Sequence, residues 1–288
     1  MLLRVSHHTR YDYAQEVAFA PHLLYLRPRE TALLRLRSFR CHLTPPARLL
    51  STLDAQDNAA LWAHLRDKAT ALDIRTEFEI ETLDANPFDF LLRPAAAGLP
   101  PAYTPAEKFA LAPYLAPPFD HTQTRLRGWL VGKLVDAPRE TTPFLTALNG
   151  LIYNSVTYTR REEGAIQPSA ETLALRSGSC RDFAVLLIEL CRTVGLAARF
   201  ISGYLYDPPP PEEKNPAPGA MHAWVEVYLP GAGWKGLDPT RNMFCDDTFI
   251  PVAHAAQADT VNPIQGSYYA SLPVTSKLTT TVRVEKLS

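Results

Sequence analysis

Ser177-Gly178-Ser179-Cys180-Arg181-Asp182-Phe183-Ala184-Val185-Leu186-Leu187-Ile188-Glu189-Leu190-Cys191 is the stretch on which the fold turns. A short polar run leads straight into residues that are apolar nearly all round. The spacing predicts a buried helix from Cys180 to about Val194, stopped by Gly195. Ser179 stands where an N-cap belongs, and Asp182 three residues on completes a capping-box pattern. Cys180 then falls in the first turn, beside unpaired backbone N–H groups and the positive end of the helix dipole. Both favour thiolate over thiol. A cysteine so placed is either a rigidly held nucleophile or a small buried residue, and the local sequence weighs the two about evenly.

The partners downstream shift that balance. Met221-His222-Ala223-Trp224-Val225-Glu226-Val227-Tyr228-Leu229 reads as a strand that opens with a histidine. Pro230-Gly231-Ala232-Gly233 is a turn, and Trp234 to Asp238 is a return strand ending before Pro239. In a hairpin symmetric about Gly231, Asp238 faces Trp224, and His222 shares the face of Trp224. Asp238 is then a diagonal neighbour of His222, provided that no bulge breaks the parity. Taken singly, His222 is an ordinary core histidine and Asp238 an ordinary turn starter. Together with Cys180 they supply a nucleophile, its base and the group that fixes the base's tautomer. The Cys180 backbone N–H is the natural oxyanion donor, with Tyr158 or Gln167 as candidates for a second. One Cys, one His and one Asp without local pair spacing make a poor zinc site, and no EF-hand loop is present. The expectation is no metal and no cofactor.

Outward from this centre the chain divides. Leu2 to Tyr13, Leu33 to Leu43 and residues 72 to 80 read as strands. The last alternates Leu72, Ile74, Thr76, Phe78 and Ile80 with charged or polar neighbours. Ala59 to Leu65 sits between strands, and strand is the favoured reading over helix. Pro-rich residues 86 to 118 read as loop and hold the boundary. Helices are expected at Thr122 to Val135 and from a Thr142-Pro143 start. Strands follow near 198–206, 223–229, 234–237 and 278–286. The fold class expected is α+β: an amino-terminal antiparallel β domain over residues 1–100, then a catalytic domain over 101–288 with its core at about 140–245. In that core the nucleophile-bearing helix packs on an antiparallel sheet.

Length and composition fit these divisions. The chain has 288 residues, 46% hydrophobic and 20% charged, with a formal net charge of −1. That near-neutrality speaks against nucleic acid or an anionic membrane as the dominant partner. Arg27, Arg29, Arg35, Arg37 and Arg40 read as a solvated strand face. Adjacent His7 and His8 point to opposite faces of a strand. The four cysteines form no CxxC pair. No run approaches the ~18 apolar residues of a membrane span, and no signal-like stretch opens the chain. A cytoplasmic protein with reduced thiols is expected. Residues 207–219, rich in Pro, read as a surface loop, with a flap over the cleft as the functional alternative.

Gly178-Ser179-Cys180-Arg181-Asp182-Phe183-Ala184, Ser202-Gly203-Tyr204, His222-Ala223-Trp224 and Leu237-Asp238-Pro239 together closely resemble the bacterial transglutaminase-like proteins of the papain-like cysteine protease superfamily. Toward the amino terminus, His8-Thr9-Arg10-Tyr11-Asp12-Tyr13 and Leu26-Arg27-Pro28 are similar to the β domain of that family. Asn86-Pro87-Phe88-Asp89-Phe90 is similar to the stretch immediately after that domain. The resemblance implies a papain/transglutaminase-like core in which Cys180 is the nucleophile, His222 the base and Asp238 its orienter. It implies thiol-dependent acyl transfer through a thioester. Hydrolysis of peptide or isopeptide-type amides is the first expectation, with a peptide or protein substrate. Transfer to an amine, as in a cross-linking transglutaminase, is the alternative, and a catalytically idle binding module of the same fold is the third reading. The amino-terminal β domain is left three roles: recognising substrate, closing one side of the cleft, or self-association into a homo-oligomer.

Overall fold

Period-two alternation builds the amino-terminal sheet. Along the strand Leu2–Phe19, residues Leu3, Val5, His7 and Thr9 are buried while their neighbours face outward. This strand pairs antiparallel with Ala69–Thr82, which pairs in turn with Leu34–Thr44. Ala59–Leu65 is a strand, paired with Ala47–Leu53 and His22–Leu24 in a smaller sheet. The computed structural model describes residues 1–117, 120–134, 137–161, 164–208 and 221–287.

The stretch expected to be loop contains a helix, Pro105–Leu115. Its signal is a capping box: the Thr104 N–H donates to Glu107 Oε2 at 2.8 Å, and the Glu107 N–H donates to Thr104 Oγ1 at 3.2 Å. The proline density around it hid that four-residue motif. Helices Asp120–Lys133 and Thr141–Ser155 come next. The second starts one residue before the expected cap, so Thr142 and Pro143 lie inside its first turn. The Thr141 hydroxyl is engaged elsewhere, donating to the carbonyls of Ala96 and Gly98 at 2.9 and 3.0 Å.

The core sheet has the order Met243–Phe244, Gly233–Asp238, Met221–Leu229, Ala198–Leu205, Phe249–Ala255, antiparallel throughout. Phe249–Ala255 was not foreseen because it contains Pro251. Proline is tolerated here because the strand lies at the sheet edge and its register shifts between Pro251 and Ala253. The helix Cys180–Thr193 buries Ala184, Leu187 and Cys191 in one cluster with Ala198, Phe200, Ala223 and Val225 of the sheet. Farther along the same face, Tyr204, Ile250 and Val252 pack on Leu3, Val5, Phe78 and Ile80 of the amino-terminal sheet. Helix and amino-terminal sheet therefore lie side by side over one face of the core sheet. The last strand, Ser276–Lys286, returns across the molecule and pairs with Leu2–Phe19 over eleven positions. Val282 and Val284 thereby join the cluster that holds the two sheets together.

Candidate functional site

The hairpin keeps its parity. Val225 pairs with Leu237 and Leu229 with Gly233, with no shift between them, so Asp238 comes to the face of Trp224 and His222. Asp238 Oδ2 accepts a hydrogen bond from His222 Nε2 at 2.7 Å. Its other oxygen accepts from the Thr240 N–H at 2.8 Å and the Thr240 hydroxyl at 2.7 Å, which leaves Oδ2 aimed at the ring. Asn149 Nδ2, from the helix Thr141–Ser155, donates to the Asp238 carbonyl at 3.1 Å and ties the strand end to that helix. Cys180 lines the same cleft as this imidazole and lies close enough to help raise its pKa. With Nε2 committed to Asp238, Nδ1 is the ring nitrogen left for a further partner. Trp224 stacks on His222 with ring centroids 6.2 Å apart, and Phe249 lies against both rings. The pair is thus screened: Asp238 is 0% exposed and the His222 side chain 11%.

Electrostatics follows from that screening. Burial alone would disfavour the imidazolium, but its hydrogen bond to Asp238 and the neighbouring Cys180 outweigh it, and His222 is raised to about 9. Burial likewise works against the Asp238 carboxylate. The hydrogen bonds from His222 and Thr240 prevail and hold its pKa below the usual range. His222 is therefore protonated at neutral pH and sits beside a thiol, the setting in which a cysteine becomes a nucleophile.

A second buried carboxylate sets the turn that carries Cys180. Asp182 is 0% exposed. Its Oδ2 accepts from the Ser179 N–H at 2.7 Å and the Ser179 hydroxyl at 2.8 Å, which is the carboxylate half of the capping box. Oδ1 accepts from the Gln167 N–H at 2.7 Å, and Arg161 Nη2 reaches both oxygens at 2.8 Å. Gly178 makes room for this, since a Cβ there would lie 2.9 Å from the Asp182 Cβ. The sequence pattern indicated the cap but missed Arg161. A charged residue in the first turn of a buried helix demands a cationic partner, and Arg160-Arg161 stands close upstream.

Tyr158 and Gln167 are placed differently. Thr157–Tyr158 and Ser177–Gly178 form a two-residue parallel ladder, which brings Tyr158 beside the nucleophile turn. Its ring packs edge-on against Phe183, and it lines the same cleft as Cys180. Burial raises its pKa, with the nearby Cys180 adding to the effect, so the phenol stays a donor. Gln167 is anchored by its N–H to Asp182, and its side-chain oxygen accepts from the Thr172 hydroxyl at 3.3 Å.

Cys180, His222, Ser179, Tyr158 and Arg161 border a cavity of about 340 Å³. A larger cavity, of about 460 Å³, lies behind Trp224 and Phe249 and touches neither Cys180 nor His222. The flap reading of residues 207–219 falls almost wholly outside the described residues. Among the described residues no helix is long and apolar enough to cross a membrane.

Residues 130–239 match the transglutaminase-like superfamily, and residues 3–81 match the bacterial transglutaminase-like N-terminal region. An uncharacterized protein of Mycobacterium tuberculosis is 29% identical over 293 residues, covering 93% of this chain and 88% of that protein. The structure of a "putative cysteine protease" from Cytophaga hutchinsonii aligns with a TM-score of 0.76 at 19% identity, over 100% of this chain and 91% of that one, a likeness of fold. A protein-glutamine gamma-glutamyltransferase of Pseudomonas aeruginosa is 36% identical over 72 residues, 23% of this chain and 10% of that protein.

Proposed function

For a chain that carries a transglutaminase-like core behind a bacterial transglutaminase-like amino-terminal region, we propose a thiol-dependent acyl-transfer enzyme that cleaves peptide or isopeptide-type amides through a thioester on Cys180. The observation that carries this reading is Cys180 and His222 side by side on one cleft, with His222 hydrogen-bonded in turn to Asp238. A binding module has no need of it. In the first half-reaction the Cys180 sulfur attacks the carbonyl carbon. The C–N bond breaks as His222 delivers its proton to the leaving amine. In the second, neutral His222 takes a proton from water, whose oxygen attacks the thioester carbon, and the sulfur leaves. Asp238 holds the ring in register through both halves. The backbone N–H of Cys180, at the helix start, and the Tyr158 hydroxyl are the donors proposed for the oxyanion.

An amine in place of water gives transamidation with the same residues. The short match to the Pseudomonas glutamyltransferase is the observation that keeps this second reading. The test is reaction with an activated ester, then location of the acyl group by peptide mass spectrometry. Acylation on Cys180 that is lost in Cys180→Ala and slowed in His222→Ala is expected. Release by water and by an added primary amine, measured side by side, then separates hydrolysis from transfer. Acyl label spread over the other cysteines, with Cys180 unmodified, would rule out the proposal.

A further inference from the structure

The cleft at Cys180 has a wall that the core does not make. His7, Thr9 and Tyr11 face it from the strand Leu2–Phe19, and Val282, Thr280 and Leu278 face it from Ser276–Lys286. They form three successive cross-strand couples, His7 with Val282, Thr9 with Thr280 and Tyr11 with Leu278. Every second residue of each strand is used, so all six share one face. The six residues differ in exposure. His7, Thr9 and Val282 are buried, Tyr11 and Leu278 are half-buried, and Thr280 is exposed. Phe200, Ser202, Ala223 and Val261, all buried, border the same cavity. The wall is also fixed to the core. His7 Nδ1 and the Tyr204 hydroxyl share a hydrogen bond of 2.8 Å, and His7 Nε2 and the Thr9 hydroxyl share one of 2.9 Å. Burial lowers His7 to about 4, so at neutral pH it presents hydrogen bonds without charge.

We propose, resting on the acyl-transfer reading above, that this strand couple is the specificity wall for the acyl donor. It admits a small amide or the terminal residue of a peptide and turns away an internal residue of an extended chain. Buried side chains of the core and of the strand couple line the cavity together, and an internal residue with chain on both sides would press against them. The volume of about 340 Å³ stands near the lower end of the range for small-molecule pockets. Thr280, the exposed residue of the wall, and Leu278 are then specificity-determining residues.

The test labels Cys180 with three thiol reagents, mapped by peptide mass spectrometry. They are iodoacetamide, a chloroacetylated lysine capped at both ends, and the same lysine at the centre of a longer peptide. The single lysine is expected to react about tenfold or more faster than the peptide. Thr280→Trp, on an exposed strand position that suits a large aromatic, should slow the single lysine about tenfold while iodoacetamide changes by less than about twofold. Leu278→Ala should narrow the gap between lysine and peptide. Equal rates for lysine and peptide in the wild type, or a ratio that neither variant moves, would overturn the wall. A Cys180 inert to iodoacetamide would instead overturn the acyl-transfer reading beneath it, and the wall with it.

Discussion

The amino-terminal sheet and the nucleophile turn both contain many charges and treat them in opposite ways. On the outer face of the sheet, Arg4 Nη2 lies 2.7 Å from Glu79 with both side chains about a third or more in water. At the core, Asp182 and Asp238 are wholly buried, and every oxygen of each accepts at least one hydrogen bond. Exposed pairs exchange water for each other at little gain, while a buried carboxylate is tolerable only when its partners are complete. The Arg4–Glu79 pair can therefore lose a charge freely, and the turn cannot. Position matters more than stability at the turn, because those same hydrogen bonds decide where Cys180 and His222 point.

The sharpest way to break this contrast is Asp182→Ala. It strands Arg161 and frees the Ser179 and Gln167 N–H groups. A loss of about 3–5 kcal/mol in chemical denaturation is expected, as for one partner removed from a buried ion pair. Asp182→Asn, which keeps part of the hydrogen bonding, should lose less. A cost for Asp182→Ala no larger than that of a surface change would remove the distinction between the two regions. His222→Ala comes next. Activated-ester acylation of Cys180 should slow by about 10²–10⁴-fold, with the far-ultraviolet circular dichroism of the fold retained.

A third test uses pH. The folded His222 keeps its proton to about 9, while the unfolded ring releases it near 6.5. Unfolding between those values releases a proton, so the stabilisation is complete below 6.5 and is lost as pH rises toward 9. Melting temperature should fall across that window in the wild type, and that slope should flatten in His222→Ala. A slope of the same size in both would place the titrating group elsewhere. Arg4→Ala is the smallest effect, with a melting temperature unchanged within error. A clear drop would mean that the sheet's outer charges also bear structural weight.

How much of this could be read in the chain depended on how local the signal was. Alternation in Leu72 to Ile80 marked a strand, and the symmetry of the turn at Gly231 brought Asp238 to the face of His222, as the ladder has it. Both are short-range patterns. The capping box Thr104-Pro105-Ala106-Glu107 was equally local and lay hidden among prolines. The features that the chain did not disclose are non-local. Residues 278–286 read as a strand, but nothing in them names Leu2–Phe19 as the partner across the molecule. The cleft wall of His7, Thr9 and Thr280 exists only through that pairing. Arg161 was out of view for a related reason, since its partner Asp182 already had a complete local role as a cap.

The central claim is that Cys180 and His222 act as a coupled pair, and alkylation of Cys180 by iodoacetamide across pH 4 to 9, resolved by peptide mass spectrometry, tests it most directly. Mapping is required because all four cysteines are free. Fast labelling of Cys180 that persists into mildly acidic solution in the wild type, and falls by about tenfold or more there in His222→Ala, is the expected result. Identical pH profiles for the two proteins would contradict a coupled pair.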